Sequence, residues 1–385
     1  MATTTTKHTH HFHMQPVLDK AKAFIKKNAV LCIAIVAALI TCIIVPPDKA
    51  YLDYFDLKTL TCLFCVLAVV CALRNIRFFY ALAQKIVQLF KNTRACVLAL
   101  VYITFLGSML IANDMALLTF LPLGYFVLST TGKQKYMAYT FILQNIAANL
   151  GGMLTPFGNP QNLYLYTKFN IPTGEFMLIM LPPFLLSITL ITLCCFFIKK
   201  EPLQLSGEQI TLPKARTIAY ALLFTLSIVI VFRVIPFIVG LIAVPIALLF
   251  LDRKALKQVD YGLLFTFVAF FVFSGNMARI PAVQKAFSSL MQKSPLLVSV
   301  LSCQVISNVP SAILLSQFTT DYASLLIGVN IGGVGTLISS LASLITFREY
   351  TSKTNGSAKK YIALFSLINF SFLIILTAME WLILL

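Results

Sequence analysis

The chain has 385 residues, of which 59% are hydrophobic and 11% are charged, and its mean hydropathy is +0.89. No soluble domain of this size tolerates so apolar a composition, so we predict an integral membrane protein. The net charge of +17 raises the question of nucleic-acid binding. Most basic residues lie in short segments between apolar runs, as the positive-inside rule requires, so the expected partner is a lipid bilayer and no nucleic acid.

The first 27 residues are polar and contain all four histidines of the chain, at positions 8, 10, 11 and 13. We predict a cytoplasmic tail 1–27, for which disorder is favoured over metal capture. The first apolar run, 28–45, is long enough to cross a slightly thinned bilayer and ends without a small-residue cleavage pattern. We interpret it as a retained first span and not as a signal peptide.

Ten further apolar runs follow, at 57–73, 95–128, 136–166, 175–198, 216–232, 235–251, 260–275, 295–320, 322–346 and 360–383. All nine cysteines lie inside the eleven apolar runs or at their ends, so we expect free, packed thiols and no disulfide framework. Cys62 and Cys65 have the spacing of a redox or metal pair, but they lie in mid-span with no second pair, which favours packing.

Two runs carry polar breaks that indicate hairpins. Run 295–320 has Asn308 and Pro310 near its centre, and each arm of about 13 residues would rise only about 20 Å, too little to cross a bilayer. Run 95–128 is broken at Asn113 and Asp114, and its arms are just long enough to span. For run 95–128, charge decides between a hairpin and two spans. Basic residues flank the run on both sides and place both of its ends in the cytoplasm, which favours a hairpin.

With both runs treated as re-entrant hairpins and a cytoplasmic amino terminus, 23 of the 30 basic residues fall in cytoplasmic segments. The two halves of the chain then have opposite orientations. The predicted fold is an all-α polytopic membrane protein, an inverted-repeat transporter with about nine full spans, two re-entrant hairpins and two unwound helices. Its parts are a first half 28–198 with hairpin 95–128 and broken helix 136–166, a linker 199–216, and a second half 217–385 with hairpin 295–320 and broken helix 322–346.

The polar breaks recur in the two halves and predict the functional site. Hydrocarbon cannot hydrogen-bond a backbone, so such runs survive at membrane depth only where they line a protein-enclosed or watery cavity. An amide side chain offers both an acceptor and donors, so Asn113 and Asn308 can each face a cation and an anion. Ser307 and backbone carbonyl groups could complete an oxygen shell for a hard cation such as sodium.

The second break in each half is rich in glycine. Gly151 with Gly152, and Gly332 with Gly333, permit a helix to unwind and release carbonyl and amide groups toward ligands. Neutral polar side chains accompany these pairs, and we predict that they bind substrate: Thr155, Asn159, Asn162 and Thr336. For the break at 330–336 in the second half, a kinked but continuous helix is the alternative, because glycine is common in spans.

Asp114 is the one acidic residue deep inside a predicted run, whereas Glu380 lies near the outer end of the last helix. A charge at that depth is costly unless it is paired, hydrated or protonated, so we predict that Asp114 binds a cation or carries a proton. The alternative role is a simple helix cap.

These motifs resemble those of the ion transporter superfamily, which includes arsenite efflux permeases, citrate and divalent-anion:sodium symporters, and sodium/proton antiporters. The resemblance rests on the tip Ala112-Asn113-Asp114, the run from Thr155 to Asn162 and the second tip Ser307-Asn308-Val309-Pro310. It implies a dimer with a scaffold domain and a transport domain that moves as an elevator.

The resemblance also implies a cation site at each tip, formed in the first half by Asn113, Gly151 and Gly152, and in the second by Ser307, Asn308, Gly332 and Gly333. The dicarboxylate branch has Ser-Asn-Thr at both tips, whereas this chain has Ala-Asn-Asp and Ser-Asn-Val. The missing threonines and a carboxylate beside the anion argue against a dicarboxylate and favour proton coupling.

The leading hypothesis is a secondary active transporter of a small anion in the plasma (inner) membrane, coupled to sodium or protons. It would need no cofactor, with sodium as a coupling ion, and it would form a homodimer. The alternatives are a cation/proton antiporter of the same fold and, less favoured, an arsenite efflux permease or a channel. An enzyme is disfavoured because the spans contain no histidine and only one deep acid.

Overall fold

The computed structural model describes residues 28–203, 211–354 and 356–384. These residues form helices, and the only β-type pairing among them is an isolated bridge between Asn92 and Pro202. The all-α class is therefore confirmed. The predicted tail 1–27, with its histidines, lies outside the described residues, as do residues 204–210 of the predicted linker 199–216.

The first half begins with three helices: α1 (Ala29–Ile44), α2 (Leu57–Asn75) and the short α3 (Phe78–Val87). The helices that follow are α4 (Thr93–Ile111), α5 (Asn113–Thr130), α6 (Met137–Gly151), α7 (Pro160–Lys168) and α8 (Thr173–Phe196). Short 3₁₀ segments lie at Lys49–Tyr54, Gln134–Tyr136 and Gly152–Leu154.

The second half begins with α9 (Lys214–Val231), α10 (Phe237–Leu251) and the short α11 (Arg253–Gln258). Then follow α12 (Tyr261–Arg279), α13 (Pro281–Lys293), α14 (Pro295–Ile306), α15 (Asn308–Leu315), α16 (Tyr322–Ile331), α17 (Leu341–Lys353) and α18 (Ala358–Leu384).

The packing of these helices repeats between the halves. Helix α1 packs on α12, while α9 and α10 both pack on α2, so the opening helices of each half lie against the opposite half. Helix α4 packs on α5 and α6, and α14 packs likewise on α15 and α16. Even the caps correspond, because the carboxylates of Asp56 and Asp260 accept hydrogen bonds from the third residue of α2 and α12, each at 2.9 Å. This correspondence supports the predicted repeat.

Both predicted hairpins are pairs of packed helices with a one-residue break. The first break is at Ala112, between α4 and α5, and the second is at Ser307, between α14 and α15. Both broken helices are also interrupted where the glycine pairs predicted, at 152–159 and at 332–340. That the hairpins are re-entrant stays a prediction.

Six helices in the described part are long and apolar enough to cross a membrane, namely α2, α4, α8, α9, α12 and α18. Helix α4, one arm of the first hairpin, is long enough to span a membrane by itself. Length therefore does not decide whether that hairpin is re-entrant. Helices α1 and α10 have 16 and 15 residues, and we interpret them as short spans. The most exposed apolar side chains include Ile43, Phe197 and Phe250, which are 82%, 81% and 78% exposed and suit contact with lipid tails.

The start of the linker is tied to the loop after the first hairpin. The Glu201 carboxylate accepts hydrogen bonds from Lys133 and Lys135, at 2.6 Å each, and from Tyr136 at 2.9 Å. Lys133 and the other two donors lower the pKa of Glu201 to about 2. A depressed pKa keeps the carboxylate ionised at neutral and mildly acidic pH, so this contact persists until the pH falls toward that value.

Close packing of α14 and α16 depends on a glycine. A Cβ atom added to Gly328 would lie 2.6 Å from Ser299 Cβ and 2.9 Å from the backbone oxygen of Leu296. Gly174, in the first turn of α8, has open space in the same position.

We predict that Gly328→Ala destabilises the protein by about 1–3 kcal/mol, because α14 and α16 must move apart. Gly174→Ala is the matched control and should be neutral or slightly stabilising, since alanine favours a helix. Thermal unfolding of both variants in detergent measures the difference. Equal stability of the two variants would contradict the close helix contact.

Candidate functional site

The two hairpin tips have the same backbone conformation. Ala112 has φ 62° and ψ 151°, and Ser307 has φ 74° and ψ 162°, a region that residues with a side chain seldom adopt. In each tip the following asparagine accepts a 2.9 Å hydrogen bond from the next backbone N–H, Asn113 from Asp114 and Asn308 from Val309. Each strained residue therefore ends one arm and lets the next helix begin at the tip.

Asn149, two residues before the first glycine pair, joins the halves. Its Oδ1 accepts hydrogen bonds from Asn113 Nδ2 at 3.1 Å and from Ser340 Oγ at 2.8 Å. Ser340 is the N-cap of α17, so an arm of the second broken helix starts beside the first tip. The second tip is close as well, because Asn308 Nδ2 lies 3.2 Å, and Asn149 Oδ1 3.7 Å, from the Cβ position of Gly333.

Asn330 occupies the equivalent position in the second half and makes the equivalent crossing. Its Oδ1 accepts hydrogen bonds from Asn159 Nδ2 at 3.2 Å and from Gln161 Nε2 at 3.4 Å, and its Nδ2 donates to Asn162 Oδ1 at 2.6 Å. Asn159 is the N-cap of α7. Each broken helix is therefore bonded to the second arm of the other.

Asn162 satisfies the backbone of the first unwound segment. Its Nδ2 lies 3.2 Å from the carbonyl oxygens of Gly152 and Met153 and 3.3 Å from that of Thr155. Gln304 does the same in the second half, where its Nε2 reaches the carbonyl oxygens of Gly332 and Val334 at 2.9 and 3.2 Å. Each carbonyl oxygen has a second lone pair, so these bonds leave acceptor capacity for an ion.

Three predicted residues tie neighbouring segments together. The Thr155 hydroxyl donates to the carbonyl of Met109 in α4 at 2.7 Å, and the Thr336 hydroxyl donates to that of Gln304 in α14 at 3.2 Å. The Ser307 hydroxyl donates to the carbonyl of Ser339 at 3.2 Å. Each of these side chains anchors an unwound segment or a tip, and their roles in ligand binding stay predictions.

Some buried acceptors have no hydrogen-bond partner in the described residues: Asp114 Oδ1, Asn159 Oδ1 and Gln161 Oε1. Asn159 Oδ1 lies 2.5 Å from the Cβ position of Gly152, so glycine is required there. Unpaired buried oxygens are costly, and a bound cation or proton would satisfy them.

Four half-helices begin around this network: α5 and α15 at the tips, and α7 and α17 after the unwound segments. Helix N-termini carry partial positive charge, which favours an anion. The side chains around them are neutral amides and hydroxyls, with Asp114 as the acidic exception. No cluster of three or more His, Cys, Asp or Glu residues occurs in the described ranges. A cation here would have neutral oxygen ligands, as sodium accepts.

Sequence reasoning missed several members of the network, chiefly Asn149, Asn330, Ser340 and Gln304. Each of the first two lies two residues before a glycine pair, which is the signal that could have identified it. It also underestimated Glu380, which is 1% exposed and has a buried Oε1 without a partner in the described residues.

Residues 17–325 match the model of the family CitMHS, described as citrate transporter. The chain belongs to this family. Membership makes the chain a multi-pass membrane transporter and not an enzyme, and confirms the resemblance to the ion transporter superfamily.

Relatives agree with this assignment. The chain is 33% identical over 322 residues to the uncharacterized transporter MJ0456 of Methanocaldococcus jannaschii, which covers 83% of this chain and 88% of the relative. It is 30% identical over 280 residues to the inner membrane protein YbiR of Escherichia coli, covering 70% and 74%. A shorter match, 30% over 160 residues, is to the silicon efflux transporter LSI3 of Oryza sativa and covers 41% and 32%.

We predict that Asn149→Ala lowers the free energy of unfolding by about 1–3 kcal/mol, because it leaves the buried donors of Asn113 and Ser340 without their acceptor. Thermal unfolding in detergent measures the loss.

Asn369→Ala is the matched control, because this buried amide donates to the carbonyl of Phe365 within its own helix. If both substitutions destabilise the protein equally, Asn149 has no special role in joining the halves.

Proposed function

We propose that the chain is a secondary active transporter of a small anion, coupled to sodium or protons, in the plasma (inner) membrane. The amino terminus is cytoplasmic in this proposal, the protein is a homodimer, and the transport domain moves as an elevator. The relative YbiR is named as an inner membrane protein, which supports this location.

One observation carries the proposal: four half-helix N-termini and neutral amides from both halves surround the two unwound segments. The bonds from Asn149 to Asn113 and Ser340 bring the first tip and the second broken helix into one network. The partial positive charge of the helix N-termini suits an anion, while carbonyl oxygens at the helix ends suit a cation. One site with both features can couple the two fluxes.

In this proposal Asn113, Gly151 and Gly152 hold one coupling cation, and Ser307, Asn308, Gly332 and Gly333 hold a second. Asn159 Oδ1, buried and without a partner in the described residues, would be a further oxygen ligand near Gly152. Thr155, Asn162 and Thr336 keep the unwound segments in shape and line the substrate side.

A cation/proton antiporter is the second candidate, favoured by one specific observation. Asp114 is the acid of the first tip, and its buried Oδ1 has no hydrogen-bond partner in the described residues. A carboxylate of this kind can bind a cation and a proton alternately. The shorter relative named for silicon efflux indicates that oxyacids and their anions belong in the substrate panel.

The deciding experiment is flux into proteoliposomes containing the full chain, with a panel of anions and with sodium and pH gradients imposed separately. We expect anion uptake driven by one of the gradients. Asn113→Ala and Asn308→Ala should each lower it at least about tenfold, the equivalent of about 1.4 kcal/mol lost at the site. Sodium flux that depends on pH and needs no anion would contradict the proposal and favour the antiporter.

Asp114→Asn should abolish the dependence of flux on the pH gradient, because an amide cannot exchange the proton. Asp53→Asn is the matched control, since Asp53 is an exposed carboxylate outside the predicted spans. Unchanged pH dependence in Asp114→Asn would remove this residue from the mechanism.

A further inference from the structure

A cavity of about 210 Å³ lies between the end of α2, helix α3 and helix α5, and its lining residues are not members of the network that joins the halves. Its walls include two guanidinium groups and two hydroxyl groups. The lining residues that bear on ligand binding are Arg74, Arg77, Tyr80, Leu118, Thr119 and Pro122. The charge distribution of the sequence places this end of α2 on the cytoplasmic side.

The two arginines have no acidic partner here. None of the four ion pairs in the described ranges includes Arg74 or Arg77. Arg74 Nη1 lies 3.9 Å from Met115 Sδ, and the Arg77 guanidinium lies 4.8 Å from the ring centroid of Tyr80. A sulfur atom and an aromatic face leave most guanidinium N–H groups available, and these groups match the geometry of oxyanions.

Acidic residues on the same side of the protein are engaged elsewhere. Asp252 accepts hydrogen bonds from Asn75 Nδ2 at 2.9 Å and from two backbone N–H groups of α11. Asp260 caps α12. The positive charge of the cavity is therefore not neutralised by a direct contact with either residue.

The backbone of Arg77 is in an unusual conformation. It has φ 58° and ψ 28°, a left-handed geometry that favours glycine or asparagine, yet an arginine occupies it. This residue turns the chain from α2 into α3 and thereby puts its own cation at the wall of the cavity. Strain of this kind is retained where the surrounding structure holds a side chain in place for function.

Two lining residues of the cavity share a helix face with the first tip. Asp114, Leu118 and Pro122 recur every four residues and so share one face of α5. Pro122 has no N–H group, so the carbonyl of Leu118 lacks its usual intrahelical donor and is free for water. Arg74 contacts Met115, the neighbour of Asp114, so the basic cavity and the acidic tip adjoin.

We propose that this cavity is an oxyanion-binding vestibule, in which Arg74 and Arg77 concentrate a small oxyanion beside the first hairpin tip. Its ligand is a phosphate-like or carboxylate-like group, supplied either by a solute or by an anionic lipid headgroup. The binding claim is independent of the transported substrate, and the delivery of that anion to the tip rests on the proposed function.

The test uses Leu118→Cys in the purified full chain, because Leu118 is 40% exposed and lines the cavity. We compare the rates at which an anionic and a cationic methanethiosulfonate reagent modify this cysteine, after subtracting the rates of the parent protein with its own cysteines. The anionic reagent should react faster by on the order of tenfold, because the cations raise its local concentration. Thr119→Cys is the second probe in case Leu118→Cys does not fold.

Adding Arg74→Gln or Arg77→Gln should lower this preference at least about threefold, whereas Lys359→Gln, an exposed cation at the start of α18, should leave it unchanged. Inorganic phosphate should slow both reagents, and this protection should disappear when both arginines are replaced. A preference that is absent, or that survives the loss of both arginines, would overturn the proposal.

Nanodiscs distinguish the two sources of the ligand. Protection by free phosphate in a phosphatidylcholine bilayer identifies a solute site, and protection that appears only with phosphatidylglycerol identifies a headgroup site. No protection in either bilayer refutes the vestibule. Because cysteine modification needs no transport, a negative result in this test leaves the proposed function intact. Conversely, a protein with the expected reagent preference but no anion flux in proteoliposomes would refute the proposed function alone.

Discussion

Every broken helix in this protein must satisfy backbone groups that its own helix no longer satisfies. In a bilayer no water is available for that purpose, so side-chain amides take over. Asn162 and Gln304 hold the carbonyl groups of the two unwound segments, and Asn149 and Asn330 connect each segment to the opposite half. The hydrogen bonds at the breaks and the arrangement of the proposed ligand site follow from this requirement.

The same requirement explains why the two halves cannot act independently. The N-cap of α17 is bonded to Asn149 of the first half, and the N-cap of α7 is bonded to Asn330 of the second. A shift of one tip changes the hydrogen bonds of the other broken helix. An ion that bridges these groups would therefore bias the arrangement of both halves together, which is what coupling between ion and substrate requires.

The site and the vestibule differ in chemistry. Neutral amides and helix N-termini form the proposed site, so its attraction for an anion would be short-ranged and depend on geometry. Two arginines without acidic partners in the described part of the chain would make the proposed vestibule attractive over a longer distance. The division suits a transporter, because the inner site must release its ligand as well as bind it.

The breaks could be predicted because they are local: asparagine, glycine and proline in an apolar run interrupt a helix wherever they occur. The repeat followed from the order of these motifs. Bond partners could not be predicted, since Ser340 is 191 positions from Asn149 and meets it only through the packing of α17 on α6. The left-handed backbone conformation of Arg77 could not be predicted either, because no feature of the neighbouring sequence indicates that an arginine adopts it.

The most direct measurement is an electron cryo-microscopy map of the protein in lipid nanodiscs containing sodium. The account predicts that Ala112 and Ser307 lie near the middle of the hydrocarbon layer and face an enclosed polar pocket, with ion density against the unwound segments. Tips at the headgroup level, or tips that face lipid with no pocket between them, would contradict it.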